Sequence, residues 1–386
     1  MATRYLPFHV PDLGHEEERS VVETLRSGWL TTGPKVKKFE ERFAAAVGAK
    51  HAVAVNSGTA ALHLALEAAG VKAGDEVVVP TMTFAATAEV VLYLGAKPVL
   101  ADCRPDTLNL DPDSFAKAVT RRTKAVIPVH FGGLPCEMDR ILRIARRSKL
   151  AVIEDAAHTF PASYRGKPVG SIGDVTCFSF YATKTITTGE GGMATTQDAA
   201  LAERMRLMSL HGISKDAWKR YTANGTWRYD IVAPGYKYNL TDIAAALGLE
   251  QLKKAERMRR VRERYAKAYD AAFAGLPLEL PARPDRGSVH AWHLYPLRLD
   301  LPRLRLSRDA FIDRLKELGI GTSVHFIPLH LHPFYRKTFG YKPQDFPNAA
   351  AAFERSVSLP LYSKMTEADV RRVAGAVTHI LRENLR

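Results

Sequence analysis

The chain has 386 residues, of which 46% are hydrophobic and 25% are charged. This composition is typical of a globular protein of one or two domains, and it excludes a disordered or fibrous chain. The formal net charge of +14 makes the surface basic, which suits an acidic partner and fits an arginine-rich genome equally well.

Cysteine content and apolar runs indicate the compartment. Three cysteines, Cys103, Cys136 and Cys177, form an odd set without a Cys-x-x-Cys spacing, which argues against a disulfide framework or a cysteine-built zinc site. The N-terminal residues lack the apolar stretch of a signal peptide. Apolar runs such as residues 90–96 are far shorter than the roughly 20 residues that span a bilayer. The sequence therefore predicts a cytoplasmic protein with no membrane partner.

Strand and helix patterns alternate from residue 51 to about residue 197. A helix is predicted over residues 59–69, and strands are predicted over residues 51–56, 76–80, 97–102, 124–130, 151–155, 175–181 and 193–196. Such alternation favours a mainly parallel sheet covered by helices, because parallel neighbours need crossover connections. We therefore expect a large α/β domain over residues 1–250, including an N-terminal segment.

The pattern changes after Asn239. A long helix is predicted over residues 241–273, and residues 251–386 are expected to hold most of it and a smaller α+β domain, with a linker at 281–285. The arginine run 257–264 suggests nucleic-acid binding, but apolar residues repeat at helical spacing on the opposite side: Met258, Val261, Tyr265 and Ala268. We favour a solvated helix face and no nucleic-acid partner.

Three predicted strand ends and a turn-rich segment before the long helix carry small or polar residues, and strand ends are where ligands bind in α/β sheets. They are residues 56–60 (NSGTA), 151–158 (AVIEDAAH), 177–184 (CFSFYATK) and 235–242 (GYKYNLTD). Each has an ordinary structural interpretation, such as a helix cap or a solvent-facing lysine. Together they offer a helix N-terminus for an anion, a carboxylate in Asp155 and an amine in Lys184, whose pKa burial would lower. Pyridoxal phosphate requires these three features for its phosphate, ring nitrogen and aldehyde.

The same motifs resemble the DegT/StrS-type sugar aminotransferases, which are fold-type I pyridoxal phosphate enzymes. The resemblance covers nearly the whole chain through residues 27–34, 58–60, 153–158, 178–184, 189–192, 235–242 and 360–362. Within the family, the chain is most similar to the UDP-4-amino-4-deoxy-L-arabinose aminotransferases, through residues 28–32, 236–243, 290–294 and 319–326. It departs from that branch at Phe84, where the branch has tryptophan, and at residues 327–335.

The resemblance implies a role for each matching residue. Lys184 would bond to the cofactor aldehyde, and Asp155 would pair with the ring nitrogen. The remaining cofactor contacts would be Gly58, Thr59 and Ser179 at the phosphate, Phe84 on the ring face, His158 beside the ring, and Asn239 at the phosphate bound by the neighbouring subunit. The substrate contacts would be Trp29, Thr31, Tyr181 and His325. If Asn239 reaches the neighbouring subunit in this way, the functional unit is a homodimer in which each active site is built by two chains.

The implied reaction is a transamination from L-glutamate, released as 2-oxoglutarate, to a keto nucleotide-sugar, at C4 or at C3. Related sugar dehydratases carry histidine at the position of Lys184, so lysine favours amination. A nicotinamide-dependent dehydrogenase would need Gly-x-Gly-x-x-Gly after the first strand, and residues 57–60 do not supply it. A regulatory member of the fold that has lost the chemistry is the non-enzymatic alternative.

Three histidines near the C-terminus, His325, His330 and His332, raise the possibility of a metal site, since imidazoles on alternate strand positions can share one ion. No carboxylate lies near them in sequence, and transamination needs no metal. We therefore expect substrate contact or packing and no metal.

Overall fold

The computed structural model describes residues 4–213 and 229–386. The first three residues of the segment examined for a signal peptide lie outside it. The α-helices are α1 (His15–Ser27), α2 (Pro34–Val47), α3 (Gly58–Ala68), α4 (Ala86–Tyr93), α5 (Pro112–Ala118), α6 (Met138–Ser148), α7 (Ala199–Met208), α8 (Asp242–Phe273), α9 (Arg308–Glu317), α10 (Pro333–Phe339), α11 (Pro347–Arg355) and α12 (Glu367–Glu383). None of the described helices is both long and apolar enough to cross a bilayer.

The strands form a large and a small sheet and one isolated hairpin. They are β1 (His51–Val55), β2 (Glu76–Pro80), β3 (Lys97–Ala101), β4 (Thr123–Val126), β5 (Ala151–Asp155), β6 (Ser163–Tyr164), β7 (Lys167–Pro168), β8 (Val175–Ser179), β9 (Gly192–Thr196), β10 (Leu278–Glu279), β11 (Tyr295–Leu299) and β12 (Ser356–Leu359). Short 3₁₀ turns occur at Phe131–Gly133, Leu301–Arg303, Leu329–Leu331 and Pro343–Asp345.

The large sheet has the strand order β1-β9-β8-β5-β4-β2-β3. β9 runs antiparallel to both of its neighbours, and the other pairs are parallel. Every residue of β2 and β9 is buried, as expected for a sheet covered on both faces. The predicted α/β class with a mainly parallel sheet is confirmed.

Two predicted strands end at least two residues earlier than expected. The strand predicted at 124–130 ends at Val126, shortly before Pro128, which has no amide hydrogen to donate to a neighbouring strand. The strand predicted at 175–181 ends at Ser179. There the amide of Phe180 donates to the carbonyl of Gly191, and the chain turns out of the sheet toward Lys184.

The long helix α8 confirms the helix predicted over residues 241–273, with the Thr241 side chain accepting from the amide of Ala244 at its start. Its arginine-rich face differs from the prediction at one position, because Arg262 is fully buried. The buried stripe includes Arg262 and Tyr269, whereas Ala268 is exposed. The other arginines of the run pair with carboxylates, including Arg257 with Asp12, Arg259 and Arg260 with Glu256, and Arg264 with Glu367.

The C-terminal unit is built on the antiparallel sheet β10-β11-β12, and α8, α9 and α12 pack around its apolar core. The N-terminal segment joins this unit, since Leu6 bonds through its backbone to Gly319 and Gly321. Leu329 and Tyr335, in contrast, pack in the core of the large sheet. Contacts therefore cross the predicted boundary at residue 250 in both directions.

Candidate active site

A cavity of about 500 Å³ lies at the carboxyl edge of the large sheet. Asp155 and Ser179 line it at the ends of β5 and β8, and Ser57 lines it just after β1. Residues of the C-terminal unit and of the N-terminal segment complete the wall. The cavity brings together nine of the predicted site residues: Gly58, Thr59, Phe84, Asp155, His158, Ser179, Tyr181, Lys184 and His325.

The N-terminus of α3 forms one end of the cavity. Ser57 caps the helix, with its hydroxyl accepting from the amide of Ala60 at 3.0 Å. Gly58 lies so close to β8 that an added Cβ would be 3.0 Å from the Cβ of Ser179. Backbone amides at a helix N-terminus attract anions, and the hydroxyls of Thr59 and Ser179 line the same end. This end is a suitable cradle for a phosphate group.

Asp155 is buried at the floor of the cavity. Its carboxylate accepts hydrogen bonds from the hydroxyl of Thr87 at 2.8 Å and from the amide of Ala157 at 3.1 Å. Burial raises the pKa of Asp155, and these two bonds and the charge of Lys184 oppose the rise. The carboxylate is therefore oriented by donors but lacks a full counter-charge, so it suits a ligand that brings a protonated nitrogen.

Lys184 follows β8, and its amide donates to the carbonyl of Tyr181 at 2.9 Å. Burial lowers the pKa of Lys184 from 10.5 to about 8, and the charge of Asp155 opposes the shift. A larger fraction of the amine is then neutral at physiological pH than for an exposed lysine. Lys184 can therefore act as a nucleophile and as a base.

His158 and Phe326 form part of the cavity wall beside Asp155. The two rings stack with centroids 5.8 Å apart. The Nδ1 atom of His158 accepts from the amide of Gly132 at 3.3 Å, which places the ring proton on Nε2. Burial and the nearby charge of Lys184 keep the pKa of His158 well below its usual range. The wall beside a bound ring is therefore flat and uncharged.

Two other aromatic side chains lie at the mouth of the cavity. Phe84 is 64% exposed and Tyr181 is 47% exposed, although both line the cavity. Exposed aromatic rings at the rim of a site provide contact area for a flat or sugar-like ligand.

Three predicted residues do not line this cavity: Trp29, Thr31 and Asn239. The indole of Trp29 donates to the carbonyl of Thr32 at 3.1 Å, and the side-chain amide of Asn239 donates to the hydroxyl of Thr32 at 2.7 Å. The segments carrying Trp29 and Asn239 are thus joined to each other. Their roles in a site stay predictions.

The structure adds residues that the sequence did not single out, namely Phe8, His9, Thr83, Thr87, Glu190, His293 and Phe326. His293 and Phe326 lie inside motifs that carried the resemblance, so a signal for them existed. His9 and Thr87 gave no such signal, because they reach the site from a terminal segment and from the first turn of α4.

The three C-terminal histidines have different hydrogen-bond partners. His325 bonds to the hydroxyl of Ser358 at 2.9 Å, His330 to that of Thr81 at 2.8 Å, and His332 to the carbonyl of Ile327 at 3.2 Å. Within residues 4–213 and 229–386, no three metal-ligating side chains are grouped around a common point.

The features of the cavity fit pyridoxal phosphate. The end near Gly58 offers amides and hydroxyls to a phosphate, Asp155 offers a carboxylate to a protonated ring nitrogen, and Lys184 offers an amine to an aldehyde. Because Gly58 has no Cβ, the N-terminus of α3 can pack closely against Ser179 at the end of β8.

Comparisons with known proteins agree with this geometry. The model of the DegT/DnrJ/EryC1/StrS aminotransferase family matches residues 11–378. The spore coat polysaccharide biosynthesis protein SpsC of Bacillus subtilis is 54% identical over 380 residues, which are 98% of this chain and 97% of SpsC.

Solved structures give the same result. The PLP form of the putative sugar aminotransferase Spr1654 of Streptococcus pneumoniae superposes with a TM-score of 0.92 and 35% identity, covering 99% of this chain and 100% of that one. Helicobacter pylori PseC, an aminotransferase involved in the biosynthesis of pseudoaminic acid, has a TM-score of 0.91 and 30% identity, covering 98% and 100%. The chain therefore belongs to the DegT/DnrJ/EryC1/StrS family and is a sugar aminotransferase that uses pyridoxal phosphate.

Proposed function

We propose that this enzyme transfers the amino group of L-glutamate to the C4 keto group of a UDP- or dTDP-linked sugar. The product is an amino sugar nucleotide for polysaccharide or glycoconjugate assembly. The names of two relatives support this class of product, since SpsC is a spore coat polysaccharide biosynthesis protein and PseC is involved in pseudoaminic acid biosynthesis. The net charge of +14 suits an acceptor that carries a diphosphate.

The observation that carries the proposal is the presence of Asp155 and Lys184 in one buried cavity. Bound pyridoxal phosphate supplies an electron sink for the pair of electrons left when a proton leaves the donor carbon. Asp155 favours the protonated ring nitrogen, because its buried carboxylate gains a counter-charge there. The bonds from Thr87 and Ala157 hold the carboxylate in place for that contact.

Lys184 is the residue that moves protons. A lysine with a pKa of about 8 is roughly one-tenth neutral at pH 7, against roughly one part in 2,500 for an unperturbed lysine. Its Nζ atom therefore accepts the proton of the donor carbon and returns it on the other side of the transfer. The same Nζ serves both halves of the reaction.

The cavity also has to exclude water while the proton moves. Phe326 and His158 stack on each other in the cavity wall, and Phe84 and Tyr181 lie at the mouth. A homodimer would bury the exposed faces of the two mouth residues further. We include in the proposal that a second copy contributes Asn239 to the phosphate end and Trp29 and Thr31 to the sugar, as the resemblance to the family implies. None of the three lines the cavity of its own chain.

The proposal places the enzyme in the cytoplasm. Cys103, Cys136 and Cys177 are free and buried, as expected for a protein that needs no oxidising compartment.

The test follows the visible absorbance of the cofactor-loaded protein. L-glutamate should bleach it, and a 4-keto sugar nucleotide should restore it while forming the amino sugar. UDP- and dTDP-linked acceptors with the keto group at C4 or C3 are compared. If only 3-keto acceptors restored the absorbance, the position of amination would be C3 instead of C4. Failure of every keto sugar nucleotide would overturn the proposed acceptor, and bleaching by other amino acids alone would overturn the proposed donor.

A further inference from the structure

Another part of the cavity wall is lined by three histidines from distant parts of the chain, His9, His293 and His325. We call it the imidazole end. Within the described residues, the Nε2 atom of His9 and the Nδ1 atom of His293 have no hydrogen-bond partner. A buried polar atom without a partner is destabilising, and at a ligand site the ligand is its natural partner.

The imidazole of His293 is held firmly. His293 is only 7% exposed, and its ring centroid is 4.4 Å from that of His158. Beneath it, the buried guanidinium of Arg262 donates to the carbonyl of Leu361 at 2.6 Å and to that of His293 at 3.3 Å. Arg262 thereby fixes the backbone of two residues that line the imidazole end.

The charges of the imidazole end select one kind of ligand. Burial, together with the charge of Arg262, lowers the pKa of His9 to about 3. Burial keeps the pKa of His293 well below its usual range, and the nearby charge of Lys184 adds to this effect. Both rings are therefore neutral at physiological pH, and each has one donor nitrogen and one acceptor nitrogen. Neutral imidazoles bind hydroxyl groups better than they bind carboxylates or phosphates, because these anions favour positively charged partners.

The location of the imidazole end favours the acceptor sugar as its ligand. The cradle at Gly58 suits the cofactor phosphate, and Asp155 suits the ring nitrogen. The imidazole end is left for the part of the acceptor that surrounds its keto carbon, because His9 and His293 line the same cavity as Lys184. We propose that His9 and His293 bind the hydroxyl groups of the acceptor sugar that flank its keto carbon, and so select for a polyhydroxylated acceptor. This inference rests on the proposed function.

The test pairs a change in the enzyme with a change in the acceptor. Acceptor kcat/KM is measured for a keto sugar nucleotide and for its deoxy analogues lacking one flanking hydroxyl, with the wild type, His293→Phe and His9→Phe. We expect the wild type to disfavour a deoxy analogue by roughly 10- to 100-fold. Each Phe variant should lose most of its discrimination at one hydroxyl, because the partner of that hydroxyl is gone. Calorimetric titration with the amino sugar product and its deoxy analogues gives the same comparison without turnover.

A matched control is His330→Phe. His330 is fully buried and, like His9 and His293, has an unpartnered ring nitrogen, but it does not line the cavity. Its variant should therefore keep the discrimination of the wild type. Bleaching by L-glutamate checks that each variant carries working cofactor, and His→Met at the same position replaces any Phe variant that does not fold.

Equal discrimination in the wild type and in the His9 and His293 variants would overturn the inference while leaving the proposed function intact. A wild type that aminates no keto sugar nucleotide would instead overturn the proposed function.

Discussion

The two ends of the cavity are built in different ways. The end at α3 consists of residues that directly follow strands of one sheet, such as Gly58 after β1 and Ser179 at the end of β8. The imidazole end collects His9, His293 and His325 from a terminal segment and the C-terminal unit. A fixed cofactor suits the first construction, because parallel strands hold their ends rigidly. A variable acceptor suits the second, because separate segments can change independently.

This comparison predicts that changes near the sheet act on the cofactor and the transfer chemistry, and the largest effect is expected at Lys184. Lys184→Ala should reduce transamination by more than about 10⁴-fold, because no other amine lines the cavity among the described residues. Single-turnover bleaching by L-glutamate measures it. The control is Lys167→Ala at an exposed lysine of β7. A Lys184→Ala protein that still turns over at an appreciable rate would contradict the assignment.

The next largest effect is expected at the phosphate cradle. Gly58→Val should weaken the binding of pyridoxal phosphate by roughly 10- to 100-fold, because its Cβ would lie 3.0 Å from that of Ser179. Equilibrium titration with the cofactor measures the change. Gly375→Val is the control, since nothing lies within 4 Å of a Cβ at that helical position. If the two variants bound pyridoxal phosphate with equal affinity, the end of the cavity at Gly58 would not be its phosphate-binding site.

Thr87→Val tests the support beneath Asp155. The substitution keeps the shape but removes the hydroxyl that donates to the carboxylate at 2.8 Å. That bond opposes the rise in the pKa of Asp155, so its loss should weaken cofactor binding about tenfold. The pH below which affinity is lost should also move upward, because the carboxylate then needs a higher pH to ionise. Thr195→Val, at a buried threonine bonded to the carbonyl of Gly170, should change neither quantity.

The rate at which the cofactor-free protein bonds to pyridoxal phosphate should depend on pH through Lys184. Because burial lowers the pKa of this lysine to about 8, its neutral fraction rises about tenfold between pH 7 and pH 9. Stopped-flow absorbance should show a rate that increases with pH, reaches half of its maximum near pH 8 and levels off above about pH 9. A rate still climbing near the usual lysine pKa of about 10.4 would mean that the amine is exposed to solvent.

The smallest effect is expected at the imidazole end, through a residue that only orients a histidine. Ser358→Ala removes the hydroxyl bonded to Nδ1 of His325 at 2.9 Å. We expect the KM for the acceptor to rise about threefold, with cofactor affinity unchanged. Ser356→Ala is the matched control, because Ser356 is equally buried on β12 but bonds to the carbonyl of Ala352. If Ser358→Ala changed the affinity for the cofactor instead, the proposed separation of cofactor binding and acceptor binding between the two ends would be wrong.

The structure places Asp155 and Lys184 in one cavity, and their local spacing in the sequence explains why this proximity could be expected. Asp155 follows an apolar run and Lys184 follows the next strand, so the alternation of strands and helices was enough to expect them at one edge of a sheet. The same logic extended the fourth predicted strand to His130, and Pro128 made that prediction wrong. It also treated the arginine run as wholly solvated, although Arg262 lies inside.

The sequence by itself determined the α/β class, the long helix α8, and the residues at the strand ends. These depend on hydrophobic periodicity and on turn residues within about ten positions, which a single chain displays directly. Only the tertiary structure decided that Thr87 supports Asp155 and that His9 and His293 form a neutral wall. Their neighbours are distant in sequence, and the burial that fixes their hydrogen bonds and pKa values exists only after the segments have packed together.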